Sequence, residues 1–221
     1  VTTDAQNNTV AGTNAGDSFN GTEANRNTLI GYNAGTAITE GDYNTALGAY
    51  SLDANTTGDN NTAIGDAALS GNTTGSQNTA VGRYSMISST TADNNTAIGY
   101  DCLGANTTGN GNVAIGKDAL QSNTTASWNT AVGSLALEAN TTGTRNLAVG
   151  SFALQVNTTG SYNHAVGYAA LDSNTTGNNN VAVGDNALQA NTTGGSNTAV
   201  GNFTLDANTT GSENTAVGYN A

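Results

Sequence analysis

Eleven glycines fall 17 residues apart along this chain: Gly48, Gly65, Gly82, Gly99, Gly116, Gly133, Gly150, Gly167, Gly184, Gly201 and Gly218. Gly12 and Gly31 precede them, separated from each other by 19 residues, and Gly31 leads into the regular period. Around each glycine runs one unit, approximately Asn-Thr-Ala-Val-Gly-x-x-Ala-Leu-x-x-Asn-Thr-Thr-Gly-x-x. A unit this short cannot bury a core of its own, so it has to be one coil of a solenoid stabilised by the coils above and below. The expected fold is all-β, a parallel β-solenoid of the β-roll type with 17-residue coils. It runs as a single repeat domain over 1–221, irregular in the 19-residue unit at 12–31 and regular from 31 onward. A helical solenoid needs repeats of roughly 30 residues or more, and nothing here keeps a 3.6-residue period.

Positions are counted from the period glycine. Position -1 is apolar in every coil and mostly β-branched, from Ile30 and Leu47 to Val200 and Val217. Such residues favour a strand against a packed interior. Position -3 is mainly threonine, with Val113, Leu147, His164 and Val181 as departures, and shares a face with -1 by strand alternation. These two columns are expected to face inward, so that Val132 sits in the core. Position -2 then points outward, and it is alanine from Ala46 to Ala216. An outward column held at methyl size implies close packing against another copy of the chain. Ala63, Ala80, Ala97, Ala114, Ala131, Ala148, Ala165, Ala182 and Ala199 are therefore the candidate chain–chain contacts; the alternative is that they line a tightly curved part of the same coil. Leucine at +4 marks a second apolar corner, and Asn-Thr-Thr-Gly at +7 to +10 reads as the return turn, its glycine suited to positive φ. The asparagines at -4, stacked at the strand spacing, are placed to bond along the coil axis and to cap turns.

Composition narrows the function classes. Sixteen acidic against four basic residues give a net charge of -12. That balance disfavours nucleic acid and anionic membrane, both of which call for a Lys/Arg surface. No apolar stretch approaches a membrane span, so direct membrane insertion is not expected. Cys102 stands where other coils place alanine at +3 and reads as a small buried hydrophobe. His164 is the one histidine, in a column of Thr, Val and Leu, and has neither catalytic nor zinc-ligating partners in its motif. No catalytic residue, metal site or cofactor is expected. The Gly-Gly-x-Gly-x-Asp repeat of a calcium-binding roll, a G-x-G-x-x-G and a P-loop are all absent from the sequence.

Nine Asn-Thr-Thr triplets, at Asn55, Asn72, Asn106, Asn123, Asn140, Asn157, Asn174, Asn191 and Asn208, are formal N-glycosylation acceptors and equally a turn formula. The variable +1/+2 pairs carry aromatics, and Tyr84, Tyr100, Phe152, Tyr168 and Phe203 are the candidate ligand contacts; covering a groove is their plainer role. The threonine columns also admit an ice-binding face, although adjacent threonines at +8 and +9 cannot both point one way in an extended strand.

The N-x-A-[VI]-G-x-x-[AS] cores carry a family resemblance. They are Asn61-Thr62-Ala63-Ile64-Gly65 with Ala68, Asn112-Val113-Ala114-Ile115-Gly116 with Ala119, and Asn180-Val181-Ala182-Val183-Gly184 with Ala187. The repeat resembles the YadA-like head domain of trimeric autotransporter adhesins and related head repeats in phage or prophage tail fibres, over nearly the whole chain. It departs by its longer coil, with a regular Asn-Thr-Thr-Gly insertion that should lengthen the outer loop. The resemblance implies a left-handed roll, three parallel chains, and an extracellular, cell-surface or fibre location. The function it implies is a structural and adhesive module that binds protein or glycan ligands by many weak contacts. The alternatives are a fibre or tail-fibre shaft without a ligand, and a filament rather than a trimer.

Overall fold

The structure is a computed structural model, which describes residues 2–19 and 23–221. They form two compact units, Val1–Gly111 and Asn112–Ala221, each built from the same coil. Every regular coil holds one three-residue strand at positions -3 to -1, and turns make up the remainder. The first unit contains β1 (Thr2–Thr3), β2 (Thr9–Ala11), β3 (Thr28–Ile30), β4 (Thr45–Leu47), β5 (Thr62–Ile64), β6 (Thr79–Val81) and β7 (Thr96–Ile98). From β2 to β7 each strand pairs in parallel with the next, in register column on column. The second unit contains β8 (Val113–Ile115), β9 (Thr130–Val132), β10 (Leu147–Val149), β11 (His164–Val166), β12 (Val181–Val183), β13 (Thr198–Val200) and β14 (Thr215–Val217), stacked the same way. The chain is therefore an all-β parallel β-solenoid with 17-residue coils. The 19-residue unit includes residues 20–22, which lie outside the described residues, and so does the bulge expected there.

Strand pairing is only part of what joins the coils. Around the coil that starts at Gly150, backbone N–H groups donate in both directions at almost every second residue. Gly150, Phe152 and Tyr162 donate to Val132, Ser134 and Thr144 of the preceding coil. Leu154, Val156, Thr158 and His164 donate to Ala170, Asp172, Thr175 and Asn180 of the following one. A segment with almost no regular strand thus satisfies its backbone as a sheet would. The cost falls on conformation. Besides the period glycine, three columns adopt left-handed φ in each coil, at +2, +4 and -5, and from Leu52 onward the +4 residue is leucine or Met86, as in Leu154 (φ 54) and Leu171 (φ 54). A left-handed non-glycine residue costs roughly 1–2 kcal/mol, offset here by the bonds to both neighbouring coils and by burial of the leucine.

The interior reverses one expectation. Alanine at -2 is fully buried within the single chain, at 0% exposure from Ala46 to Ala199. The large residues at -1 face out, Leu47 at 46% and Ile98 at 39% exposed. Ala63, Ala80, Ala97, Ala114, Ala131, Ala148, Ala165, Ala182 and Ala199 are therefore core residues of the single chain, with no exposed surface to offer a second one. Space explains the inversion. The narrow coil must also hold leucine at +4, the small residue at +3 and two asparagine side chains, and a methyl is what remains at -2. Leu52, Leu69, Leu103, Leu120, Leu137, Leu154, Leu171 and Leu188 are fully buried as expected, and so is Cys102.

Two asparagine ladders run through this core. At -4 the backbone N–H of Asn146 donates to Oδ1 of Asn129 (2.9 Å), while Asn146 Nδ2 donates to the Gly160 carbonyl (2.8 Å). At +7 the bond is amide to amide: Asn157 Nδ2 donates to Asn140 Oδ1 (2.9 Å) and to the carbonyl of Gly160 (3.0 Å). The -4 ladder has a starting cap. Asp4 takes the place of a preceding asparagine, accepting from the backbone N–H of Asn8 (2.8 Å) and from its Nδ2 (2.9 Å). The same segment brings β1 antiparallel onto β2, so the outer edge of β2 is covered rather than open.

The period glycines are fixed by contact as well as by φ. Gly133 has φ +139, and a β-carbon there would fall 2.6 Å from the carbonyl carbon of Gly150 in the next coil. The glycine at +10 differs from expectation. Its φ is not left-handed, and what it supplies is room beside the next coil's carbonyl and the +7 amide, as at Gly143 against Gly160 and Asn140.

Candidate functional site

Among the described residues no ligand-sized cavity is present and no three His, Cys, Asp or Glu side chains converge. The surfaces open to a partner are therefore the columns that repeat from coil to coil. Three are distinct.

The first is the strand's outer face. Position -1 lays a row of Ile, Leu and Val along each unit, beside a row at -3 that is threonine in the first unit and mixes Thr130, Thr198 and Thr215 with Val113, Leu147, His164 and Val181 in the second. Isolated exposed apolar residues are ordinary, but a row without a polar break is not. In the second unit the row runs Ile115, Val132, Val149, Val166, Val183, Val200, Val217, with Ile115, Val183 and Val200 all more than a third exposed. His164 stands exposed beside it at -3.

The second surface carries the five aromatics singled out from the sequence, and they prove to be paired across coils. The Tyr84 and Tyr100 rings lie 6.2 Å apart, and those of Phe152 and Tyr168 lie 5.5 Å apart at an interplanar angle of 73°. Phe203 pairs with Tyr219 (6.1 Å), and Tyr32 with Tyr50 (5.3 Å), three residues that sequence reasoning missed. The column spacing supplies the signal: positions +1 and +2 of adjacent coils are neighbours, +2 meeting the following +1 in three pairs and Tyr32 at +1 meeting the following +2 in the fourth. The Arg83 guanidinium lies over the Tyr84 ring (4.3 Å) and pairs with Asp66 (3.2 Å), tying that patch to three coils. Edge-to-face pairs of this kind contribute about 0.5–1.5 kcal/mol beyond burial, so the rings both brace neighbouring coils and remain at the surface.

The third surface is position -5, a left-handed corner held by small polar residues at Asn60, Asn94, Asn179 and Ser196. Three consecutive coils of the second unit place Trp128 (φ 64), Arg145 (φ 57) and Tyr162 (φ 60) there instead. The chain's one tryptophan is 62% exposed and Tyr162 is 46% exposed. Arg145 Nη1 donates to the Tyr162 hydroxyl (2.6 Å), with the guanidinium 5.5 Å from the ring centre. Arg26 and Tyr43 repeat that pairing in the first unit. Sequence reasoning passed over this column, and the substitution of aromatics for asparagine was the signal.

The nine Asn-Thr-Thr asparagines are corrected as modification sites. Asn55, Asn72, Asn106, Asn123, Asn140, Asn157, Asn174 and Asn191 are fully buried, and Asn208 is half-buried with its Nδ2 bonded to Asn191 and Gly211. The nitrogen that would carry a glycan is enclosed in the ladder, so the triplet is a turn and core formula in the folded chain. Next to it, Thr at +8 donates its hydroxyl to the +8 carbonyl of the following coil, as Thr158 does to Thr175 (3.0 Å), while Thr at +9 is exposed. Position +11 adds a further rung contact, in which the Ser76 N–H donates to Asp93 Oδ1 (2.7 Å). No protein-family model, curated protein or solved structure matches the chain.

Proposed function

We propose that the chain is an extracellular structural and adhesive repeat module that works as a homo-oligomer, with a trimer favoured. The observation that carries the assembly is the row at -1, an aligned apolar strip that a single chain leaves half in water. A second copy of the same strip has the same coil spacing, so side chains can match rung for rung. The chain–chain contact is thus assigned to -1 and -3 in place of the alanines. The resemblance to trimeric adhesin heads supports three copies, and the exposed aromatic and threonine columns support binding of protein or glycan by weak contacts summed over coils and chains. The reading needs no catalytic residue. A ligand-free fibre shaft is the second reading, favoured by the unbroken repetition of ladders and strip.

Sedimentation velocity on the purified protein tests the assembly. A trimer is expected, and Val183→Asp should dissociate it while circular dichroism stays unchanged. A monomer at micromolar concentration overturns the assembly. Binding to a glycan array or to matrix proteins tests the adhesive part. Silence on both, with filaments in electron micrographs, selects the shaft.

A further inference from the structure

We propose that Trp128, Arg145 and Tyr162 form a binding platform for a neutral, extended, β-1,4-linked polysaccharide lying along the coil axis. The proposal rests on the adhesive reading and gives it a ligand class. Four observations carry it.

The first is the replacement itself. Position -5 is a left-handed corner that asparagine fills well, yet three successive coils carry large side chains there, two of them flat and exposed. Neither aromatic is needed to fill the core, which is complete beneath them with Asn129, Asn146 and Asn163 buried at -4.

The second is spacing. The backbone N–H of Arg145 donates to Ser127 (3.3 Å) and that of Tyr162 to Thr144 (3.0 Å), which holds the three corners one strand spacing apart. Trp128 and Tyr162 are thus separated by two spacings, about 9.6 Å. That is close to the disaccharide repeat of an extended β-1,4-linked chain. Two sugar rings facing the same way can therefore lie on the two aromatics, their C–H faces against the negative π surface.

The third is the group between them. A guanidinium has five N–H donors, and the one hydrogen bond from Arg145 to Tyr162 leaves others for the hydroxyls of the intervening sugar. Arg83 and Lys117 are ion-paired with Asp66 and Asp118, whereas among the described residues no carboxylate pairs with Arg145. Its bond to Tyr162 also sets the ring and the cation in one arrangement.

The fourth is the surround. The neighbouring column is Ser127, Thr144 and Ser161, and Thr142 and Thr159 are exposed at +9, so the border is neutral hydroxyl. One cation on a chain of net charge -12 does not attract a polyanion, which favours a neutral glycan over an acidic one.

Trp128 is the chain's only tryptophan, so its fluorescence reports the site directly. Titration of the full chain with cellohexaose should give a saturable blue shift, and maltohexaose, whose α-linkages coil, should give none. Tyr162→Asn should weaken cellohexaose at least tenfold and Arg145→Asn by a smaller factor. Both variants place asparagine, which the column carries at Asn60, Asn94 and Asn179, in the conformation it holds there, and circular dichroism checks that they fold as the parent does. No shift at millimolar cellohexaose, an unchanged affinity in Tyr162→Asn, or tighter binding of an oligouronide of equal length would each overturn the proposal. If cellohexaose fails while a matrix protein still binds, the platform is excluded and the adhesive module stands.

Discussion

A single methyl decides which face of each strand is the core. Ala182 and Val183 are adjacent in β12, the first fully buried and the second 38% exposed. Ala182→Asp should cost about 4 kcal/mol or more, because it places an unpaired charge in the coil. Val183→Asp should cost the folded chain at most about 1 kcal/mol, a strand-propensity effect. Urea denaturation of the two variants gives the comparison, and equal losses would contradict the inverted interior. Sequence reasoning found the alternation but assigned its sides by size, placing Val132 inside. The buried asparagines at -4 share a face with -2, and their demand for interior space was the clue to the true orientation. The same ladder logic identifies a flaw. Ser89 occupies the +7 column, which leaves Asn72 Oδ1 and Ser89 Oγ buried without partners. Ser89→Asn should restore both the rung and the bond to Ala92, stabilising the protein by about 1–2 kcal/mol. Asp172 is a second weak point, half-buried with Oδ1 unpartnered, and burial raises its carboxyl above the ordinary 3.8. The folded state therefore favours the protonated acid. That preference helps fully below the unfolded value and is lost as pH rises through the raised folded one. Asp172→Asn should raise the melting temperature at pH 7, with the gain vanishing near pH 3.

At the scale of the coil, the two glycine columns predict opposite tolerances. Gly133→Ala combines a left-handed φ with a collision against the Gly150 backbone and should cost more than about 3 kcal/mol. Gly143→Ala also collides with a backbone carbonyl, that of Gly160, and with the Asn140 amide, but its φ is not left-handed and Ala92 and Ala126 already occupy this column, so the coils accommodate a methyl there. It should cost about 1 kcal/mol, and denaturant midpoints of the pair check the contrast. The period, the strand position and the leucine corner were all legible in the sequence because each rests on a repeated residue type. The left-handed corners were not, since Leu171 and Phe152 are poor turn formers whose conformation is imposed by bonds to both adjacent coils. The aromatic pairs were half legible. Tyr84 and Phe152 could be named from their column, but their pairing with Tyr100 and Tyr168 needs the offset between coils.

For the molecule as a whole, charge and the apolar strip oppose each other. At neutral pH a chain of net charge -12 repels its own copies, while the -1 row draws them together. Salt shortens the range of the repulsion, and acid towards the isoelectric point of about 4.1 removes it. Self-association measured by light scattering should therefore strengthen with added salt and with falling pH, and the reverse trend would point to a contact made by ion pairs. The rung-to-rung bonds have another consequence, for how such a chain can change its length. Their pattern recurs every 17 residues in the regular coils, as in the side-chain bonds between Asn157 and Asn140 and between Thr158 and Thr175. Length is thereby quantised. Removing residues 134–150 joins Gly133 to Ser151 and puts every later side chain back in its column, so the shortened protein should fold and melt within a few degrees of the parent. Removing 134–142 takes away about half a coil and leaves the corners out of phase, and it should not fold. A molecule of this kind can serve as a ruler whose smallest division is one coil.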